Sequence, residues 1–104
     1  MATFTIHQLD RDLSDRDLDT YRRLSFNDSD YQPQDFQYFN PVARVEAVDL
    51  DDVFHLTNAW NNPDAVRRFM PMHSLSVGDI IETHTDGHRY FMAAGFGFNE
   101  IEVA

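Results

Sequence analysis

The side chains with the greatest capacity for chemistry crowd into HSLSVGDIIETHTDGHRYF, residues 73–91, which holds His73, His84 and His88 with Asp79 and Asp86. His84 and His88 flank a Thr-Asp-Gly turn, so in a hairpin they lie opposite or diagonal to each other, with Asp86 at the tip as the nearest third ligand. Imidazole and carboxylate are the donors a zinc-type ion takes, and three or four of them are needed. His73 stands at the far end of its strand, and an extended chain of that length carries it out of reach. The expectation is therefore an exposed hairpin with polar decoration, with no metal site, no cofactor and no catalytic residue. Asp79 follows Gly78 at the start of an apolar run, where a carboxylate accepts backbone N–H groups from the preceding turn. Ser74 and Ser76 have no His/Asp relay fixed by spacing, and Gly95-Phe96-Gly97 lacks the strand-to-helix setting of a phosphate loop. His7 and His55 stand alone on periodic segments and read as face residues.

The elements that must position these groups follow from periodicity. Residues 3–8, TFTIHQ, alternate in the manner of a half-buried strand. Ser14 and Asp17 form a capping pair ahead of a helix over about 15–24, with Leu18, Tyr21 and Leu24 at helical spacing. Residues 25–41 mix turn formers with Phe26, Tyr31, Phe36, Tyr38 and Phe39 and read as an irregular loop with aromatic anchors, packed on the sheet or presented as interface anchors. VARVEAV, 42–48, is a second strand, and Asp49 caps a helix over about 50–59, with Asp52 in its first turn. Asp64 caps one further turn through Phe69. Strands over 75–81, 88–94 and 96–103 then make a meander, with a bulge near Gly95 or Gly97 in the last. The sum is a single α+β domain over 1–104, with an antiparallel β-sheet of about five strands, two short helices and a C-terminal three-strand meander.

Composition narrows function. One domain with 42% hydrophobic residues and nine Phe can bury a core without disulfides, and the absence of Cys removes thiol chemistry. No apolar run approaches the roughly 20 residues of a membrane span, and Met-Ala-Thr-Phe opens no secretory signal, so a soluble, cytoplasmic protein is expected. The net charge is −10 with no lysine. Residues 1–52 hold twelve acids against five arginines, a net −7, while residues 53–104 hold six against three, a net −3. Such a field repels phosphate and anionic lipid and attracts basic protein surfaces. Arg22-Arg23 and Arg67-Arg68 are outweighed as a nucleic-acid patch and serve to finish helices or pair with carboxylates. The bland alternative for the acidity is solubility or a salt-adapted or GC-rich genome.

Four stretches carry a family resemblance: Asp51-Asp52-Val53-Phe54-His55-Leu56-Thr57-Asn58, Asn62-Pro63-Asp64, Ser74-Leu75-Ser76-Val77-Gly78-Asp79-Ile80-Ile81, and Phe96-Gly97-Phe98-Asn99-Glu100-Ile101. In that order they resemble the YodL-like domain, over residues 42–103, leaving 1–41 as an acidic, aromatic N-terminal segment. Ala93, Ala94 and Gly95 stand where the family tends to carry polar residues. The resemblance implies no catalytic activity. It implies a setting in plasmids, conjugative elements and phages, some of whose proteins act against host defence.

With the charge, that setting implies a non-catalytic protein-binding module that engages and inhibits a basic, nucleic-acid-binding host protein, such as a nuclease or a CRISPR effector. Its carboxylates would stand in for DNA phosphates, an anti-restriction or anti-CRISPR device working by DNA mimicry. The expected binding residues are Asp10, Asp12, Asp15, Asp17, Asp19, Asp28, Asp30, Tyr31, Asp35 and Tyr38. No direct contact with nucleic acid or membrane is expected, and a homodimer is compatible with this reading. The alternatives are a structural module that oligomerises through its sheet and, third, a small metal-dependent enzyme.

Overall fold

In the computed structural model, which describes residues 2–25, 31–58, 66–84, 87–95 and 97–104, the alternating N-terminal segment becomes a central strand. β1 (Ala2–Leu9) is followed by α1 (Leu13–Arg16), α2 (Leu18–Ser25), a 3-10 helix (Pro33–Tyr38), β2 (Phe39–Ala47) and α3 (Leu50–Asn58). Among the described residues β3 (Val66–Arg68), β4 (Ile80–Thr83), β5 (Arg89–Ala93) and β6 (Phe98–Ile101) follow. The six strands form one antiparallel sheet in the order β3-β2-β1-β4-β5-β6. The α+β reading holds, with six strands where about five were expected.

Alternation along β1 distributes its side chains between two packed faces. Phe4 and Ile6 sit opposite Val45 and Ala43 of β2, and Ile6 opposite Ile81 of β4, in a core that also takes Val53 of α3, Leu75 and Phe98. On the other face Ile80, Met92, Leu24 and Phe39 form a second cluster, covered by Leu9, Tyr31, Phe36, Tyr38 and Tyr90. Ile6, Ile80, Ile81, Val45 and Val53 are fully buried. At the register shift between Ile6 and His7 the extra residue of β2 is Val42, and Pro41, which has no N–H to give to the ladder, lies opposite His7.

Local departures from the sequence expectation have physical causes. The helix over 15–24 is broken in two at Asp17, whose carboxylate caps α2 by accepting from Thr20 N and Thr20 Oγ1 at 3.2 and 2.7 Å. Ser14 instead donates to Arg11 O. The loop over 25–41 contains a helical turn because Asp35 accepts from Gln32 N at 2.9 Å and Pro33 presets the first helical φ. Residues 66–68 are an edge strand beside β2 and do not continue a helical turn, so Arg67 lies opposite Arg44. The strand over 75–81 is confined to 80–83, since Ser76 to Asp79 form a turn closed by Asp79 N to Ser76 O. α3 matches its expected span, and its cap is reciprocal: Asp52 N donates to Asp49 Oδ1 and Val48 N to Asp52 Oδ2, both at 2.9 Å. Asp64, Phe96 and the Thr85-Asp86 turn lie outside the described residues.

Asp35 is sealed under the second face, 3% exposed and held by two bonds from Arg23 at 2.8 and 2.9 Å. The Arg23 hydrogen bond keeps its carboxyl below the usual range. Removing one partner of such a pair leaves the other charge poorly compensated. Asp35→Ala should lower folding stability by about 2 kcal/mol in chemical denaturation, a value reduced for the partial exposure of Arg23. A loss of under about 0.5 kcal/mol would mean that the pair is not structural.

Candidate functional site

The covered half of the second face gives way to a polar half built by three strands. Register places Thr5 of β1 opposite Glu82 of β4, and Glu82 opposite Tyr90 of β5. His84 lies two residues past Glu82 and keeps the pairing going through its N–H to Thr3 O. Thr83 opposite Arg89 brings His88 back across the hairpin, so the His84 and His88 rings meet edge to face at 5.1 Å between centroids.

Glu82 is the hub. Its Oε1 lies 2.9 Å from His7 Nε2, and its Oε2 lies 2.6 Å from His88 Nδ1. His84 Nε2 lies 2.7 Å from Thr5 Oγ1, which orients that ring. His7 is buried against Phe36 and Tyr90, with ring centroids 5.0 and 6.3 Å away. Burial pushes the His7 pKa down, outweighing the pull of Glu82, so His7 is a neutral ring that donates from Nε2. Its Nδ1 is buried and has no hydrogen-bond partner among the described residues. For Glu82 burial works upward, yet the bonds from His7 and His88 prevail and hold the carboxyl below its ordinary value. Chemically this is an ionised, half-buried carboxylate ringed by imidazoles. One ligand atom from each of Glu82, His84 and His88 falls within 4.8 Å of the others, so these three residues could hold a metal ion.

A second polar cluster stands at the other end of β4. Asp79 Oδ2 accepts from Ser76 N and from Gln8 Nε2, each at 3.0 Å, and lies 3.8 Å from His73 Nδ1. Gln8 also donates to His73 O at 3.0 Å and accepts from His73 N at 3.3 Å, lashing the loop before β4 to β1. The turn is tight enough to need Gly78, whose φ is +95° and where a Cβ would sit 3.3 Å from Leu24 O at the end of α2. Asp79 therefore accepts a backbone N–H from its turn, as expected. Beside it opens a pocket of about 360 Å³ lined by Leu9, Arg11, Tyr21, Leu24, His73 and Gly78. Burial raises the Asp79 pKa to about 6, against the Ser76 N–H, His73 and Gln8, which lower it.

The acidic residues singled out by sequence divide by what they touch. Asp10 pairs with Arg16, Asp17 caps α2 and Asp35 is internal, so these three serve the fold. Tyr31 and Tyr38 pack against the second core cluster, and the Tyr31 hydroxyl donates to Glu102 O. Asp12, Asp15 and Asp19 are exposed, and no ion pair among the described residues uses them. Asp28, Asp30 and Asp86 lie outside the described residues. Glu82 and His7 were missed as site residues. The period-two placement of Glu82 and His84 on one strand face was a usable signal, whereas the approach of His7 depends on β1 pairing with β4.

Fold and site together define a small α+β domain whose single antiparallel sheet carries a histidine–carboxylate cluster on its open half. The chain belongs to the YodL-like domain family, whose match runs over residues 3–103 and so takes in the acidic N-terminal segment as well. No curated protein and no solved structure matches it. Among the described residues no helix is long and apolar enough to cross a membrane.

The Asp79 shift has a definite sign. A carboxyl whose folded pKa lies above its unfolded value supports folding fully at low pH, and that support is lost as pH rises through the folded pKa. For Asp79 the window runs from 3.8 to about 6. Across it, the stability of the wild type should fall relative to Asp79→Asn, by up to about 3 kcal/mol from a two-unit shift. Urea denaturation of both proteins at several pH values measures the difference, and parallel curves would show that Asp79 titrates as it does in the unfolded chain.

Proposed function

We propose that this protein is a non-catalytic binding module whose partner is a basic protein. The supporting observation is the shoulder formed by α1 and α2. There Asp12, Asp15 and Asp19 are exposed without an ion pair among the described residues, and Leu18, 44% exposed, lies between Asp15 and Asp19 in sequence. Carboxylates left open around an apolar side chain suit a surface of arginine or lysine with a hydrophobic spot, while the net charge of −10 speeds encounter with such a surface and repels nucleic acid. The partner that best fits this chemistry is a nucleic-acid-binding protein, whose phosphate-binding groove the module would occlude. In a mobile element that amounts to an inhibitor of restriction or CRISPR machinery.

A second reading, a scaffold module that oligomerises, draws on a different place. An open apolar groove of about 590 Å³ runs between α3 and the β5–β6 turn, lined by Phe54, Leu75, Val77, Ala93 and Phe98, next to the edge strand β6. Its occupant would be a second copy, which an unpaired strand edge can accept. A Phe54→Asp variant separates the two readings, since it would dissociate a dimer in sedimentation while leaving the acidic shoulder intact.

The test is affinity capture from nuclease-treated lysate, followed by direct binding measurements on the purified partner. Raising salt from about 0.05 M to about 0.5 M should weaken binding at least about tenfold. Asp12→Lys/Asp15→Lys/Asp19→Lys should weaken it at low salt by a similar factor. Affinity indifferent to both salt and charge reversal would reduce the acidic shoulder to a solvated surface.

A further inference from the structure

We infer that Glu82, His84 and His88 form a binding site for a divalent transition-metal ion of the zinc type. The donor set is two imidazoles and one carboxylate, which borderline ions such as zinc accept, and which leaves a coordination position for water or a ligand. The three donor atoms already lie within 4.8 Å of one another. Tetrahedral coordination at about 2.0–2.1 Å sets neighbouring ligand atoms roughly 3.3 Å apart. The contact at 2.6 Å between Glu82 Oε2 and His88 Nδ1 must therefore open by less than an ångström, roughly. His88 is exposed at the mouth of the hairpin, so a small rotation of its ring accomplishes this.

What separates this cluster from a chance group of surface histidines is the layer beneath it. Glu82 is half-buried, with its second oxygen held at 2.9 Å by Nε2 of the buried His7. Thr5 Oγ1 fixes the His84 ring at 2.7 Å. Ligands whose remaining atoms are hydrogen-bonded by a supporting layer bind metal more tightly, because their geometry is set in advance. Both supports come from β1, while Glu82 lies in β4, His84 just after it and His88 just before β5, so a bound ion would link the hairpin to the centre of the sheet. His7 Nδ1 also lacks a partner among the described residues, so the ring's one retained bond is the one that orients Glu82.

The experiment is equilibrium dialysis of the full chain against zinc, with metal counted by elemental analysis and geometry read from the visible spectrum of the cobalt form. One ion per chain is expected, with the absorption of a tetrahedral site. His84→Ala, His88→Ala and Glu82→Gln should each weaken binding at least about tenfold, and the His84→Ala/His88→Ala pair should abolish it. His55→Ala, an exposed histidine on α3, should change nothing. The two histidines are exposed, so their variants should keep the wild-type circular dichroism, which separates lost binding from lost folding. Binding well below one ion per chain, or unchanged in the double variant, would overturn the site. Neither result touches the acidic shoulder, so the binding-module reading stands or falls separately.

Discussion

Everything in this domain hangs on β1 being in the middle of the sheet. A strand paired on both sides is committed twice over in register, and a one-residue slip would send Phe4 and Ile6 to the face that Thr5 and His7 occupy. β2 and β4 are far apart in sequence, and within the sheet it is this N-terminal strand that joins them. The same alternation that fills the core under α3 supplies, from the opposite face, the two side chains that orient Glu82 and His84.

Charge is spent in three different ways. Some acids are structural: Asp35 under the aromatic cluster, Asp79 at the turn before β4, Asp17, Asp49 and Asp52 at helix starts. One, Glu82, is kept ionised among histidines. The remaining carboxylates of α1 and α2 face solvent and give the surface its sign. The −10 therefore overstates the carboxylates available to a partner. Those internal acids also oppose one another in pH response, because the Asp35 pKa is lowered and the Asp79 pKa raised.

The sequence showed the parts whose signal is local. Alternation in TFTIHQ and VARVEAV marked β1 and β2, the Asp49 cap marked α3, and the glycine-punctuated last third marked the meander. The aromatic, turn-rich composition of 25–41 hid a helical turn whose local signals, Pro33 and the Gln32–Asp35 capping pair, are brief, while the Arg23–Asp35 pair that ties it to α2 has no local signature. Three-residue β3 is too short to show periodicity and exists only because β2 offers an edge. The histidine cluster was half visible. His84 and His88 stand out around their turn with Asp86 at its tip, while the residue that joins them is Glu82, hidden in an apolar strand. Likewise, the family motifs of the C-terminal part drew a boundary near residue 42, although the family match begins at residue 3. The first strand carries no such motif, yet it pairs with both halves.

The most direct measurement of this dependence is residue-resolved amide hydrogen exchange. Backbone groups that open only with global unfolding exchange most slowly, whereas edges and frayed segments exchange through local opening. The amides of Phe4 to His7, with those of their partners Ile80 to Thr83, should be the slowest in the chain and should exchange with one common free energy close to that of global unfolding. If β1 instead exchanged as fast as the edge strands β3 and β6, it would be an appended segment, and both the core and the histidine cluster would have to be held by something else.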